Sequence, residues 1–293
     1  MHTFKSMRKF YLPKSFIVLI SFFALFSCNS DGGNVGNEES ETQKIISAFE
    51  EKLETDVIED DIASMSAAIF MDDEIVWSQA FGEANRTTEV IADSSTVYRT
   101  ASISKTITAY LMMLLVQDGI IKLDDPIKNY LSEIDQIQHN DLSDFTQITF
   151  RHLASHTSGL AKEPDLENAA SGPIEEWEEK VLNSIPTTHM VSEPGEHFSY
   201  SNIGYGILGL ALSRAAGEPF MDLVDERVFE PLGMENSFFI ISEGEEDNIA
   251  AGYSVRAFTG EIESEKAELE HAGRGYKVPN GGIYSTPTDL ARF

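Results

Sequence analysis

Apolar residues at Ile45, Ile46, Phe49 and Leu53 recur at helical spacing, so an amphipathic helix is expected over about residues 42–55. Ser64 to Phe70 and Glu74 to Phe81 read as two strands, joined at Met71-Asp72-Asp73 as a hairpin. Gly82 to Ser95 is polar and expected to be loop. From about Ser102 a strongly apolar helix is predicted, with Ile103, Ile107, Tyr110, Leu111, Leu114 and Leu115 as its stripe and Gly119 as its stop.

Asp125-Pro126 has the form of an N-cap and a first-turn proline, opening a short helix through Tyr130 and Leu131. A further helix is expected over Phe150 to His156, ending near Gly159. Residues 161–195 are acidic, with one helical stretch around Ile174 to Leu182. Asn202 to Ala216 is another apolar helix, whose Gly204, Gly206 and Gly209 predict close packing against a neighbour and whose end is Gly217. Pro219 is expected to start the next helix and Pro231 to end it. After Ala250 short strand-like pieces alternate with turns, and no repeat is visible. Two strands after a helix, then a block of helices, predict an α/β sheet with a helical insertion.

The first 28 residues follow a different rule. Lys5, Arg8, Lys9 and Lys14 precede an apolar run from Phe16 to Phe26, broken only by Ser21. The run is about half of what a bilayer-spanning helix needs, and it fits a secretory signal, residues 1–27. Cys28 is the single cysteine, so no intrachain disulfide can form. Leu25-Phe26-Ser27-Cys28 resembles the bacterial lipoprotein signal, which implies cleavage before Cys28 and its lipidation. Residues 28–41 are nearly free of apolar side chains and are expected to be a flexible tether. The folded domain is then expected over 42–293. The protein is expected to be exported and anchored to a bacterial membrane by lipid, on the periplasmic or cell-surface side.

Charge removes one class of partner. The chain carries 49 acidic and 21 basic residues, a net −28. With the four basic residues of the leader set aside, 17 remain against all 49 acids, a net −32. Such a surface repels phosphate backbones, so nucleic acid is not an expected partner.

The candidate chemistry lies at the start of the second helix. Ser102-Ile103-Ser104-Lys105 puts a serine and a lysine three residues apart, on one helical face. A serine hydroxyl needs a base beside it, and a lysine serves if burial or nearby cations lower its pKa. A helix start adds free N–H groups and positive potential where an oxyanion would develop. The spacing alone is weak: Ser6-Met7-Arg8-Lys9 matches it inside the leader. The Ser102 copy follows a strand hairpin and opens an apolar helix. Tyr200-Ser201-Asn202 is the sole Tyr-x-Asn of the chain. A tyrosine beside a lysine can relay a proton, and an asparagine offers a donor and an acceptor to an amide.

Several motifs in order then resemble one family. Tyr98-Arg99-Thr100-Ala101 precedes Ser102, and Leu123-Asp124-Asp125-Pro126 follows it. His156-Thr157-Ser158-Gly159-Leu160, Phe198 to Asn202, Pro231-Leu232-Gly233-Met234, Gly281-Gly282 and Asp289 to Phe293 come next. Together, over about residues 42–293, they resemble the serine β-lactamase family of the class C kind, which includes esterases, D-amino-acid peptidases and penicillin-binding proteins. The resemblance implies a β-lactamase/transpeptidase-like fold, an antiparallel sheet flanked by helices. It implies Ser102 as the acylated nucleophile, Lys105 as its base or proton partner, Tyr200 as the second acid/base group and Asn202 as a substrate contact. No cofactor and no metal are implied, and the partner is a small-molecule or peptide substrate. His156 is expected to be scaffold.

The same resemblance implies a third element, Lys or His, one residue, then Gly, on a strand after Asp289 to Phe293. The chain stops there, so it is expected to lack its last functional segment and final sheet strands. Thr286-Pro287-Thr288-Asp289 opens a helix that has no C-cap before Phe293. His271-Ala272-Gly273 has the letters of the third element but precedes Gly281-Gly282, and is read as a chance match. Three other classes fit the sequence less well. A non-catalytic surface lipoprotein using the same fold is disfavoured by the intact Ser102, Lys105 and Tyr200. A metal enzyme is disfavoured because the seven histidines form no His-x-x-Glu-His pattern. A Ser-His-Asp hydrolase would carry Gly-x-Ser-x-Gly, which is absent from the sequence.

Overall fold

The computed structural model describes residues 40–139, 148–242, 244, 246–255, 262–264, 268, 271 and 273–293. The expected leader, Cys28 and the tether up to residue 39 lie outside them. Among the described residues no helix is long and apolar enough to cross a membrane.

Helix α1 spans Glu41–Glu59 and buries Ile46, Leu53 and Val57. Ile45, expected in that stripe, is 63 % exposed. At 100° per residue Ile45 and Ile46 cannot share a narrow face, and Val57 completes the buried row instead. Phe49 meets Trp77 edge-on at 5.6 Å, which docks α1 on the sheet. Strands β1 (Ser64–Met71) and β2 (Glu74–Asn85) pair antiparallel from Ser64↔Gly82 to Met71↔Glu74, with an irregularity at Ile69/Phe70. Asp72 and Asp73 both take positive φ, 51° and 64°, as a two-residue turn between twisted strands requires. The expected loop at Gly82 to Ser95 is partly sheet: β2 runs on to Asn85 and pairs with β3 (Val90–Ile91).

β4 (Tyr98–Arg99) leads through a 3-10 turn, Ala101–Ile103, into α2 (Ser104–Gln117). The α2 core face is Ile107, Leu111, Met112 and Leu115, with Lys105 and Thr108 also buried. Ile103 and Tyr110, expected in the stripe, are 50 % and 39 % exposed. Ile103 belongs to the 3-10 turn, whose side-chain directions differ from those of the helix that follows, and Tyr110 packs on Phe293 at 5.4 Å. The expected helix at Asp125 is only a 3-10 turn, Ile127–Asn129. Asp125 accepts from the Lys122 N–H instead of capping it.

The helical layer contains α3 (Phe150–Ala154), α4 (Trp177–Ser184), α5 (Asn202–Ala216) and α6 (Phe220–Val224). Ser201 caps α5 through the Gly204 N–H, and Gly217 closes it at φ +75°. After α6 a π turn, Asp225–Phe229, leads into α7 (Glu230–Leu232). Pro231 was expected to stop this run. It sits in the first turn of α7, where a missing N–H costs nothing, and Gly233 at φ +65° ends the run. Strands β5 (Ser254–Val255) and β6 (Ile262–Glu263) pair with each other. The last described segment holds α8 (Val278–Gly281), β7 (Tyr284–Ser285) and α9 (Pro287–Arg292). β7 pairs antiparallel with β4, Arg99↔Tyr284, and so lies beside the entry to Ser102.

The predicted close approach at the α5 glycines is made by this last segment. A Cβ on Gly206 would stand 2.8 Å from the Tyr276 carbonyl oxygen, and one on Gly209 would stand 2.3 Å from Pro279 Cγ. Gly209→Ala therefore sets a helix-propensity gain of about 1 kcal/mol against overpacking of about 1–3 kcal/mol on a rigid proline ring. The clash is expected to win, lowering the denaturation midpoint at unchanged m-value. A midpoint at or above that of the wild type would show that α8 is not clamped on α5.

Candidate active site

The site is built where α2, the start of α5 and α8 meet. Residues 100–104 are stitched to Ile283. The Thr100 N–H and hydroxyl both donate to the Ile283 carbonyl at 3.0 and 2.9 Å, and the Ile283 N–H donates to Ser104 Oγ at 3.3 Å. Ser104, between the serine and the lysine of interest, is thus a fully buried structural hydroxyl. Ala101 takes φ +45°, a left-handed conformation that a residue with a Cβ adopts only when its surroundings impose it. The strained residue throws Ser102 out of the chain path, and Ser102 is exposed.

Lys105 is only 5 % exposed. Its Nζ donates to Ser102 Oγ at 3.3 Å and to the Asn280 carbonyl at 3.1 Å. The Tyr200 hydroxyl donates to Ser102 Oγ at 2.9 Å. Lys105 Nζ lies over the Tyr200 ring at 4.8 Å and the Tyr205 ring at 5.6 Å. Burial first of all lowers the Lys105 amine from its ordinary 10.5, against the hydrogen bond and charge of Tyr200, and the nearby Lys277 lowers it further. Burial would raise the Tyr200 phenol, but the hydrogen bonds to Lys105 and Ser102 and the charges of Lys105 and Lys162 outweigh it, and the phenol falls below 10.0. Tyr205 has no such donors: burial and Tyr200 push it up to about 12, and it stays a donor to the Ala154 carbonyl at 2.8 Å. Only Tyr200 of the two is suited to give up its proton.

His156 carries Tyr200 from behind. Its Nδ1 accepts the Ser201 N–H at 3.1 Å and its ring lies 4.4 Å from that of Tyr200. Burial, then the Lys105 charge, lowers its pKa, so it is neutral and can accept. Asn202 stands at the first position of α5, where its Nδ2 donates to Glu163 Oε1 at 2.7 Å.

The four residues expected at the site, Ser102, Lys105, Tyr200 and Asn202, thus come from two distant stretches of chain onto one face. Asn280, Glu163 and Lys277 belong there too and were not singled out from the sequence. Asn280 stands directly before the Gly281-Gly282 pair, and Glu163 follows the His156 block by a few residues, but nothing in either residue type announces the contact. His271 instead hydrogen-bonds the Tyr284 hydroxyl at 2.8 Å and stacks on its ring. Among the described residues no cluster of His, Cys, Asp or Glu could hold a metal ion.

A serine and a lysine one turn apart, faced by a tyrosine from another helix, sit here on a mixed fold of helices and antiparallel strands. A family model described as Beta-lactamase matches residues 45–293, and the chain belongs to that family. It is 31 % identical to Beta-lactamase-like protein 2 of Dictyostelium discoideum over 86 % of this chain and 45 % of that protein. It is 29 % identical to the D-alanyl-D-alanine-carboxypeptidase/endopeptidase AmpH of Escherichia coli K12 over 73 % of this chain and 52 % of that one. Among solved structures it resembles the beta-lactamase/D-alanine carboxypeptidase of Yersinia pestis complexed with citrate. There the TM-score is 0.69 and the identity 28 %, over 86 % of this chain and 66 % of that one. The chain spans about half the length of the curated relatives it matches. The fold is therefore β-lactamase/transpeptidase-like, as expected.

The role of His156 behind Tyr200 can be checked directly. His156→Ala removes the acceptor of a half-buried N–H and is expected to cost about 1–3 kcal/mol of stability. A loss within a few tenths of a kcal/mol in chemical denaturation would mean that His156 does not hold Ser201.

Proposed function

We propose that the protein is a serine hydrolase that cleaves amide or ester bonds through an acyl-enzyme on Ser102. The observation that carries this reading is the convergence on Ser102 Oγ of Lys105 Nζ at 3.3 Å and the Tyr200 hydroxyl at 2.9 Å. A charged lysine cannot take the serine proton, so the active form has lost one proton from the Lys105–Tyr200 pair. Whether lysine or tyrosine is formally bare is a property of the pair, since the two titrate together. In the first step Ser102 Oγ bonds to the substrate carbonyl carbon and its proton passes to the pair. The pair then returns a proton to the leaving amine or alcohol as the acyl bond breaks. In the second step water attacks the acyl ester, giving its proton to the pair, and Ser102 leaves with that proton. Developing negative charge on the carbonyl oxygen lies near the 3-10 turn, where early N–H groups lack intrahelical acceptors. The names of AmpH and of the Yersinia pestis protein favour D-alanyl peptides or β-lactams as the substrate class. Neither substrate requires a metal or a cofactor in this scheme.

The leader supports a further part of the reading. We propose that Cys28 is lipidated and holds the enzyme at a membrane, so that it meets cell-envelope substrates outside the cytoplasm. Cys28→Ser is then expected to move the protein from the detergent phase to the aqueous phase. Unchanged partitioning would make the cysteine incidental. Several acyl chains hold firmly where a single chain holds only marginally.

Intact-mass measurement after incubation with a fluorophosphonate or a penicillin is expected to show one adduct in the wild type and none in Ser102→Ala. Equal labelling of the two would remove Ser102 as nucleophile. Lys105→Ala is expected to slow labelling by orders of magnitude with the fold kept, and Tyr200→Phe by roughly 10²–10⁴-fold. Both groups of the pair are lowered, so the proton-accepting form is reached at lower pH than in the free side chains. The labelling rate is expected to rise with pH along a limb whose midpoint lies below 10. A midpoint at or above 10 would contradict a coupled pair.

A further inference from the structure

A cavity of about 410 Å³ adjoins the turn that carries Ser102 and is lined by none of Ser102, Lys105 and Tyr200. Ile174, Phe239 and the half-exposed Ile240 give it apolar walls, and His271, Arg274 and Tyr284 give it a polar one. That polar wall is built rather than loose. Tyr284 pairs with Arg99 in β4, its hydroxyl meets His271 Nδ1 at 2.8 Å, and its ring stacks on Phe238 at 5.6 Å. Arg274 is fixed through its backbone. Gly273 and Gly275 on either side take φ +145° and +51°. A Cβ on the first would stand 1.8 Å from the Gly172 carbonyl oxygen, and one on the second 2.0 Å from that of Ala169. Both flanks of Arg274 thus press on residues 169–172 as closely as only glycine allows.

The Arg274 side chain reaches from this cavity toward the nucleophile. A Cβ on Gly281 would lie 3.5 Å from Arg274 Nη2 and 3.8 Å from the carbonyl of Ala101, the residue before Ser102. These are ordinary contact distances, and Gly281 is the last residue of helix α8 and not left-handed. Neither a clash nor the backbone therefore calls for glycine at 281. What its missing side chain does is let the guanidinium stand close to the Ser102 turn. The side on which it stands matters. Tyr200 returns a proton to the leaving group, so that group lies over Tyr200. Arg274 and Gly281 flank Ala101 instead, where the part of the substrate that stays on Ser102 has room to extend.

We infer that this cavity receives the far end of the acyl group and that Arg274 is a specificity-determining residue that recognises a carboxylate there. The inference rests on the proposed acyl transfer at Ser102. A guanidinium stays charged at any working pH and presents paired N–H groups that match a carboxylate. Glu175, the acid of the lining, is exposed, and water and salt screen its charge. The apolar walls take the chain that links the two ends. The substrate class is thereby narrowed to acyl groups that end in a carboxylate, over equal acyl groups with a neutral end.

The test uses the full-length protein and two p-nitrophenyl esters with acyl chains of equal length, one ending in a carboxylate and the other in a carboxamide. The wild type is expected to favour the carboxylate in kcat/KM by about tenfold, the scale of one hydrogen bond to a charged group. A chain of net −28 repels anions in general, so its overall charge cannot produce that preference. Arg274→Gln is expected to abolish the preference, chiefly by raising KM for the carboxylate ester, and Arg274→Lys to keep part of it. Gly281→Leu, whose side chain displaces the guanidinium, is expected to shrink the ratio as well. A role in folding alone would slow both esters alike and leave the ratio where it was. No preference in the wild type, or one that survives in Arg274→Gln, would overturn the assignment. Should Arg274→Gln fail to fold, an unchanged ratio in Gly281→Leu overturns it equally. Fluorophosphonate labelling of wild-type Ser102 needs no acyl tail, so it separates the two claims. Labelling without a carboxylate preference removes only the role of Arg274, whereas absence of labelling removes the serine-hydrolase reading and this inference with it.

Discussion

The site depends on a buried amine. Lys105 lies on the core face of α2 with 5 % of its surface exposed, about two turns before Leu111 and Met112, which pack into the core. An unpaired ammonium in such a place is costly, and the usual response is a lowered pKa, a set of acceptors, or both. Lys105 has both. The Asn280 carbonyl and Ser102 Oγ accept its protons, and the aromatic faces of Tyr200 and Tyr205 flank it. The arrangement that makes the lysine tolerable also holds its amine within hydrogen-bond reach of Ser102 Oγ.

Those acceptors come from far along the chain, and their delivery sets demands elsewhere. Asn280 reaches Lys105 because residues 275–281 lie directly on α5, where Gly206 and Gly209 leave no side chain in the way. Thr108 Oγ1 donates to the Pro279 carbonyl and fastens the same segment to α2. The pairing of β4 with β7 and the Thr100, Ser104 and Ile283 hydrogen bonds then hold the turn that presents Ser102. Left-handed Ala101 is the local cost of that presentation, and these bonds hold it in place. Asp289 completes the frame. It is fully buried and accepts from the Asn236 N–H, Ser237 and Arg292, tying α9 to the segment after α7.

Electrostatics around the site run against those of the whole chain. A protein of net −28 gathers Lys105, Lys162 and Lys277 near one serine, with Glu163 as the acidic member of the group. The lysines act on the tyrosine and on each other in the direction a proton relay needs. Lys105 and Lys162 lower the Tyr200 phenol, and Lys277 lowers the Lys105 amine. These few cations set the local potential against the acidic balance of the whole chain.

The sequence by itself determined the elements whose signals are local. Period and caps placed α1, the β1–β2 hairpin, α2 and α5, because each depends on residues within a few positions of one another. The Ser102–Lys105 spacing and Tyr200-Ser201-Asn202 were legible for the same reason, and the three glycines of α5 announced a close neighbour without naming it. Only the tertiary structure decided what that neighbour is. Asn280, Glu163 and Lys277 carry no motif, and their roles come from contacts across 78, 39 and 114 residues of chain. It also decided which of two tyrosines near Lys105 is lowered, and that Ile45, Ile103 and Tyr110 face outward. Burial and long-range charge are properties of the packed chain, so no window of sequence contains them.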